Sequence, residues 1–135
     1  MHGSVTNFRF VFRIIWLTLD SIMYLLTGGD DNAVDLTQVE VTDEGIICTP
    51  LAEVLDAHTS TVTGVLFLGD SRYLSIGIDQ NIRIWRVEER RLSCIYEGYT
   101  FVPDVCGITE ISVKGTKRRF VVFGTGLEML EFEHV

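Results

Sequence analysis

The run AHTSTVTGVLFLGDSRYLSIGIDQNIRIWRV, from Ala57 to Val87, constrains the fold more than any other part of the chain. Its apolar stretches Val62–Leu68 and Tyr73–Ile76 are parted by the polar break Gly69-Asp70. A third stretch, Ile82–Val87, follows a tight turn at Asp79. Short apolar runs rich in β-branched and aromatic residues, bounded by Gly, Asp and Ser, are the mark of strands. The order strand, break, strand, Asp turn, strand describes a meander of antiparallel strands rather than any helical period.

The same order recurs upstream. Placing Asp31 on Asp79, an offset of 48 residues, sets IIWLTL (Ile14–Leu19) on VTGVLF (Val62–Phe67). It also sets YLLTGGDDNAV (Tyr24–Val34) on RYLSIGIDQNI (Arg72–Ile82). The apolar stretch Phe8–Leu26 is therefore read as two strands of a repeat, not as a membrane helix. Arg9, Arg13 and Asp20 interrupt it, and Ile14–Leu19 falls far short of the roughly 20 residues a spanning helix needs. A signal peptide or anchor is the rival reading, although no small-residue cleavage site follows the apolar run. Across the chain the pattern predicts eleven strands: Ile14–Leu19, Tyr24–Gly28, Val34–Val41, Gly45–Cys48, Val62–Leu68, Tyr73–Ile76, Ile82–Val87, Leu92–Tyr96, Ile108–Val113, Arg119–Phe123 and Leu127–Phe132.

The segment Leu51–Val87 resembles a WD repeat, the four-stranded unit of roughly 40–45 residues from which many β-propellers are built. His58 stands at the His of that family's Gly-His pair, with Ala57 in place of the Gly. Asp79 stands in the turn between the second and third strands, and Trp85 on the third strand. The resemblance implies that His, a hydroxyl residue, Asp and Trp form a hydrogen-bonded chain that fixes the blade. The position two residues before Asp79 holds Gly77, so the chain is expected to be interrupted or bridged by water. In the upstream copy Phe10 falls at the His, Thr37 at the Trp, and only Asp31 and its glycines survive.

The implied fold is an all-β partial β-propeller of about two to three WD-type four-stranded blades. Residues 1–13 form an unassigned extension, 14–55 a degenerate blade, 56–91 the WD blade and 92–135 a closing blade. With 135 residues the chain is too short for a whole propeller of about four to eight blades. It reads as the carboxyl end of a larger protein, and in isolation it is expected to be marginally stable because blade edges stay open.

Three features narrow the resemblance: TGGDDNAV (Thr27–Val34), the AH…SIGIDQNIRIWRV run, and the tail DVCGITEISV (Asp104–Val113) with VFGTGLEML (Val122–Leu130). Together they look like the carboxyl-terminal part of the WD-repeat protein six family. Membership would imply a cytoplasmic, non-catalytic scaffold that partners a tRNA 2′-O-methyltransferase acting on the first anticodon nucleotide. The enzyme would supply the S-adenosylmethionine pocket, so no cofactor is expected here. The candidate tRNA contact is the basic cluster Lys114, Lys117, Arg118 and Arg119, read as a hairpin around Gly115-Thr116 and placed to neutralise phosphates.

Charge and cysteine content set the remaining bounds. From Ile14 to Ser71 there is no Lys or Arg among ten acids, and the net charge is −8, which disfavours a stand-alone nucleic-acid binder. Such an acidic half suits a basic protein partner, so a protein-interaction propeller unrelated to tRNA is the alternative reading. The cysteines Cys48, Cys94 and Cys106 form no C-x-x-C pair, and neither a metal site nor a disulfide framework is expected. Set among apolar residues, they read as small buried hydrophobes of a reducing, intracellular protein. His58 and Asp79 are read as structural, because no nucleophile stands at a supporting spacing.

Overall fold

The computed structural model describes residues 14–19 and 22–135. Every regular element in them is a strand: β1 (Ile14–Leu19), β2 (Ile22–Gly28), β3 (Val34–Thr42), β4 (Gly45–Val54), β5 (Val62–Gly69), β6 (Arg72–Gly77), β7 (Asn81–Glu88), β8 (Arg91–Tyr99), β9 (Gly107–Lys114), β10 (Lys117–Gly124) and β11 (Gly126–Glu133). All eleven predicted strands are present. The largest extension is in β4, which runs past Cys48 and Pro50 to Val54. Pro50 is tolerated because β4 is an edge strand and its register on β3 shifts at Leu36/Thr37.

The strands form three antiparallel sheets, ordered β1-β2-β3-β4, β5-β6-β7-β8 and β11-β10-β9. Each is a simple meander, and the arrangement is compatible with successive propeller blades. The apolar stretch after residue 13 is two paired strands, with Ile14 opposite Leu25 and Leu19 opposite Ile22. No helix of the described residues is long and apolar enough to cross a membrane. The extension assigned to residues 1–13, and Phe10 with it, lies outside the described residues.

Alternation along each strand sends successive side chains to opposite faces, and packing follows from that. Leu26, Val34 and Leu36 of the first sheet meet Val62, Val65, Tyr73 and Trp85 of the second. The reverse face of the second sheet carries Leu74, Ile76, Ile82 and Ile84, which meet Ile108, Phe120 and Val122 of the third. Val102 and Val105, from the segment joining β8 to β9, complete that layer. The second sheet is thus covered on both faces. Backbone bonds tie the first two sheets at one end, with the His58 N–H donating to Asn32 O (3.1 Å) and the Val62 N–H to Gly29 O (3.1 Å).

Two expectations are corrected. The boundary at residues 91/92 cuts a sheet, because β8 pairs with β7 from Asn81 opposite Tyr99 to Glu88 opposite Arg91. Sequence repeat and sheet are out of phase, and the last unit holds three strands. Cys48, Cys94 and Cys106 are all exposed rather than buried. Cys48 and Cys94 lie on the edge strands β4 and β8, where apolar neighbours in sequence do not bring burial.

The second strand of every sheet ends in glycine, and at Gly124 the reason is close approach. A Cβ there would stand 2.4 Å from Asp104 O and 2.8 Å from Pro103 O, both backbone atoms. Gly124→Ala is expected to lower stability by about 1–3 kcal/mol, since rigid backbone must move to admit the methyl group. The midpoint of urea unfolding measures the loss.

Candidate functional site

β6 and β7 place the candidate residues by alternation. Tyr73 lies opposite Trp85 and Ser75 opposite Arg83, so these four share the sheet face turned toward β1–β4. His58 comes from the segment entering β5 and Asp79 from the β6–β7 turn. His58 is 1% exposed and Ser75 is fully buried.

The four polar groups form one continuous chain. The Trp85 indole N–H donates to Ser75 Oγ at 2.8 Å. Ser75 Oγ lies 2.7 Å from His58 Nε2. His58 Nδ1 lies 3.0 and 3.1 Å from the two oxygens of Asp79. Since the indole can only donate and the carboxylate only accept, a neutral ring leaves one set of directions. Ser75 O–H donates to Nε2, and Nδ1–H donates to Asp79. Asp79 also accepts the backbone N–H of Thr59 at 2.9 Å and of Asn81 at 3.0 Å.

The hydroxyl is therefore supplied by Ser75, four residues before Asp79, and the interrupted chain expected from Gly77 is corrected. Gly77 has no room for a side chain: a Cβ would lie 2.7 Å from Thr61 O and 3.2 Å from His58 Nδ1. Counting inward-facing positions of β6, rather than residues back from Asp79, identifies Ser75 in the sequence.

Electrostatics agree with this direction. Burial pushes the His58 pKa below its ordinary value, outweighing the hydrogen bond to Asp79 that raises it. Burial would raise Asp79, but the N–H groups of Thr59 and Asn81 and the His58 ring hold its carboxyl below the usual range. A neutral imidazole donating to a carboxylate satisfies both partners. Arg83 closes the rim, bonding Ala57 O and, at 3.0 Å, Glu97.

Asp31 keeps half of this role. It accepts the Ala33 N–H at 3.2 Å, as Asp79 accepts that of Asn81, and the residues after the two aspartates, Asn32 and Gln80, share φ 64°. Nearby, Asp35 lies directly opposite Glu53. Burial, then the charges of Glu53 and Asp31, push its carboxyl up to about 6.

The basic hairpin exists, with Lys114 opposite Lys117 across the Gly115-Thr116 turn. Its charges are largely engaged. Arg118 is buried to 13% side-chain exposure, pairs with Glu110 at 2.6 Å, bonds Leu68 O of the second sheet and lies 5.9 Å from the Phe120 ring centre. Lys117 and Arg119 share Glu131, at 3.4 and 2.9 Å. Lys114 is exposed.

A cleft of about 640 Å³ opens between the first two sheets, lined by Tyr24, Leu36, Leu51, Tyr73, Val87 and Arg90 among others. No nucleophile–base pair lines it, so its surface offers apolar contact with a cation at Arg90. Among the described residues no group of three or more His, Cys, Asp or Glu is placed to hold a metal ion.

Comparison with known protein families and with curated proteins finds no match to this chain.

Removing the Ser75 hydroxyl strands two buried groups at once. Ser75→Ala is expected to destabilise the protein by about 1–3 kcal/mol, measured by denaturant unfolding. The network also sets a pH dependence. Because the folded state depresses the His58 pKa, the unfolded chain binds the proton more readily. The His58 contribution is complete above the unfolded value of about 6.5 and falls away as pH drops below it. A urea midpoint that decreases on acidification through this range, and does so much less in His58→Asn, is the expected result.

Proposed function

We propose that this chain is part of a non-catalytic WD-type scaffold that assists a tRNA 2′-O-methyltransferase at the first anticodon nucleotide. The observation that carries the reading is the closed Trp85–Ser75–His58–Asp79 chain, which matches the blade-fixing arrangement of WD repeats. It commits the imidazole and the carboxylate to structure, with both ring nitrogens engaged, and leaves neither free for proton transfer. The methyl donor would be bound by the partner enzyme. The resemblance of Thr27–Val34 and Asp104–Leu130 to the WD-repeat protein six family supplies the choice of partner.

The ion pairs of the basic hairpin shape this reading. With Arg118 held by Glu110, and Lys117 and Arg119 sharing Glu131, few charges remain for phosphate. The scaffold would then act mainly by holding the enzyme, with tRNA contacting it secondarily at Lys114. The same ion pairs favour the second reading, a protein-interaction scaffold unrelated to tRNA, in which no RNA contact is required.

Deletion of the gene followed by mass spectrometry of cellular tRNA separates the two. The expected result is loss of 2′-O-methylated nucleosides at the first anticodon position, restored by re-expression. Unchanged methylation would overturn the tRNA role and leave the general scaffold.

A further inference from the structure

Strand arginines in this fold are held in two ways. Arg83, Arg118 and Arg119 each donate to a carboxylate: Glu97 at 3.0 Å, Glu110 at 2.8 Å and Glu131 at 2.9 Å. Arg72 and Arg86 have no such bond among the described residues. The carboxylates beside them are Asp70, 3.6 Å from Arg72, and Glu88, 3.7 Å from Arg86, and these are 93% and 64% exposed. The Nε of Arg72 is buried and makes no hydrogen bond to the described residues. Strand pairing sets both arginines in one row, with Arg72 directly opposite Arg86 and Arg86 opposite Ser93. Opposed residues share a face, so two guanidinium groups and a hydroxyl lie side by side across β6, β7 and β8. That face is the one turned toward β9–β11, and the row lies one step out from the buried Leu74 and Ile84. Arg118 of β10 reaches the same end to bond Leu68 O, its charge matched by Glu110. Like charges directly opposite one another destabilise a sheet, and the Arg72 side chain, 20% exposed, is only partly screened by water.

We propose that Arg72, Arg86 and Ser93 form a binding site for a phosphate group. Two cations held a cross-strand distance apart call for one ligand that faces both. A phosphate offers several strong acceptor oxygens and up to about two negative charges, and guanidinium forks match it with paired N–H bonds. Ser93 adds a hydroxyl donor to the same row. A side-chain carboxylate brings one charge and two oxygens, and the two beside the row, Asp70 and Glu88, stand beyond hydrogen-bond reach and largely in water. The site stands apart from the basic hairpin turn at Gly115-Thr116 and does not depend on the tRNA reading. A free phosphate and a phosphate of an RNA backbone share the chemistry it recognises.

Thermal unfolding of the full chain in potassium phosphate, against potassium chloride at the same ionic strength, tests the site. The expected result is a midpoint that rises saturably with phosphate, by about 3–6 °C at ten times the dissociation constant, with no such rise in chloride. Arg86→Gln removes the like-charged neighbour, so its midpoint without phosphate should be no lower than that of the unaltered chain, while phosphate no longer raises it. Arg72→Lys keeps the charge but loses the planar fork, and should weaken phosphate binding at least tenfold. Arg90→Gln, whose side chain lines the cleft on the other side of the sheet, should respond to phosphate as before. An RNA decamer that displaces inorganic phosphate assigns the group to a nucleic-acid backbone, and phosphate binding that the decamer leaves intact assigns it to a free phosphate. Equal effects of phosphate and chloride, a phosphate shift retained in both Arg86→Gln and Arg72→Lys, or a lower midpoint of Arg86→Gln without phosphate would each overturn the proposal.

Discussion

The structure depends on face-to-face burial of β-sheets. A meander of three or four short strands has one interior only if another sheet supplies its other wall. Here the second sheet receives a wall on each side, and it holds the greatest share of fully buried side chains. Among the described residues the first and third sheets are each supported on one side. Both core layers are needed to define the middle sheet, so the chain behaves as a stack rather than as three independent units.

The polar chain from Trp85 to Asp79 belongs to the same constraint. Burying an indole, a hydroxyl and an imidazole between sheets is tolerable only when each finds a partner. The chain does this with no member left over, and it ends on a carboxylate near the surface. It also joins four pieces of backbone: the entry to β5, strand β6, the β6–β7 turn and strand β7. The first sheet retains only the Asp31 turn. At the positions of Ser75 and Trp85 it carries Thr27 and Thr37, and the copy keeps its fold through the apolar packing of Leu26 and Leu36 on the opposite face.

Much of the fold was legible because strand boundaries are written in local chemistry. Gly69-Asp70, the Asp79 turn and Gly115-Thr116 all break alternation where the chain reverses. Tertiary placement was less legible. Ser75 was missed because a count back from Asp79 landed on Gly77, whereas strand alternation decides which hydroxyl faces inward. The cysteines looked buried from their apolar neighbours, yet edge strands expose residues that a central strand would hide. The hairpin bases looked available in sequence. Only the register, which sets Arg119 opposite Glu131 and Arg118 next to Glu110, shows their charges engaged. Assigning β8 to the second sheet likewise needed the pairing itself, since a hairpin turn at Glu89-Arg90 reads equally well as a unit boundary.

The second sheet is fixed by a neutral His58 that is locked between Ser75 and Asp79. Nitrogen NMR of the His58 ring across pH measures this directly. The expected result is a single neutral tautomer with the proton on Nδ1, persisting to pH values below the ordinary histidine titration. A ring that titrates at the ordinary value, or that carries its proton on Nε2, would contradict it.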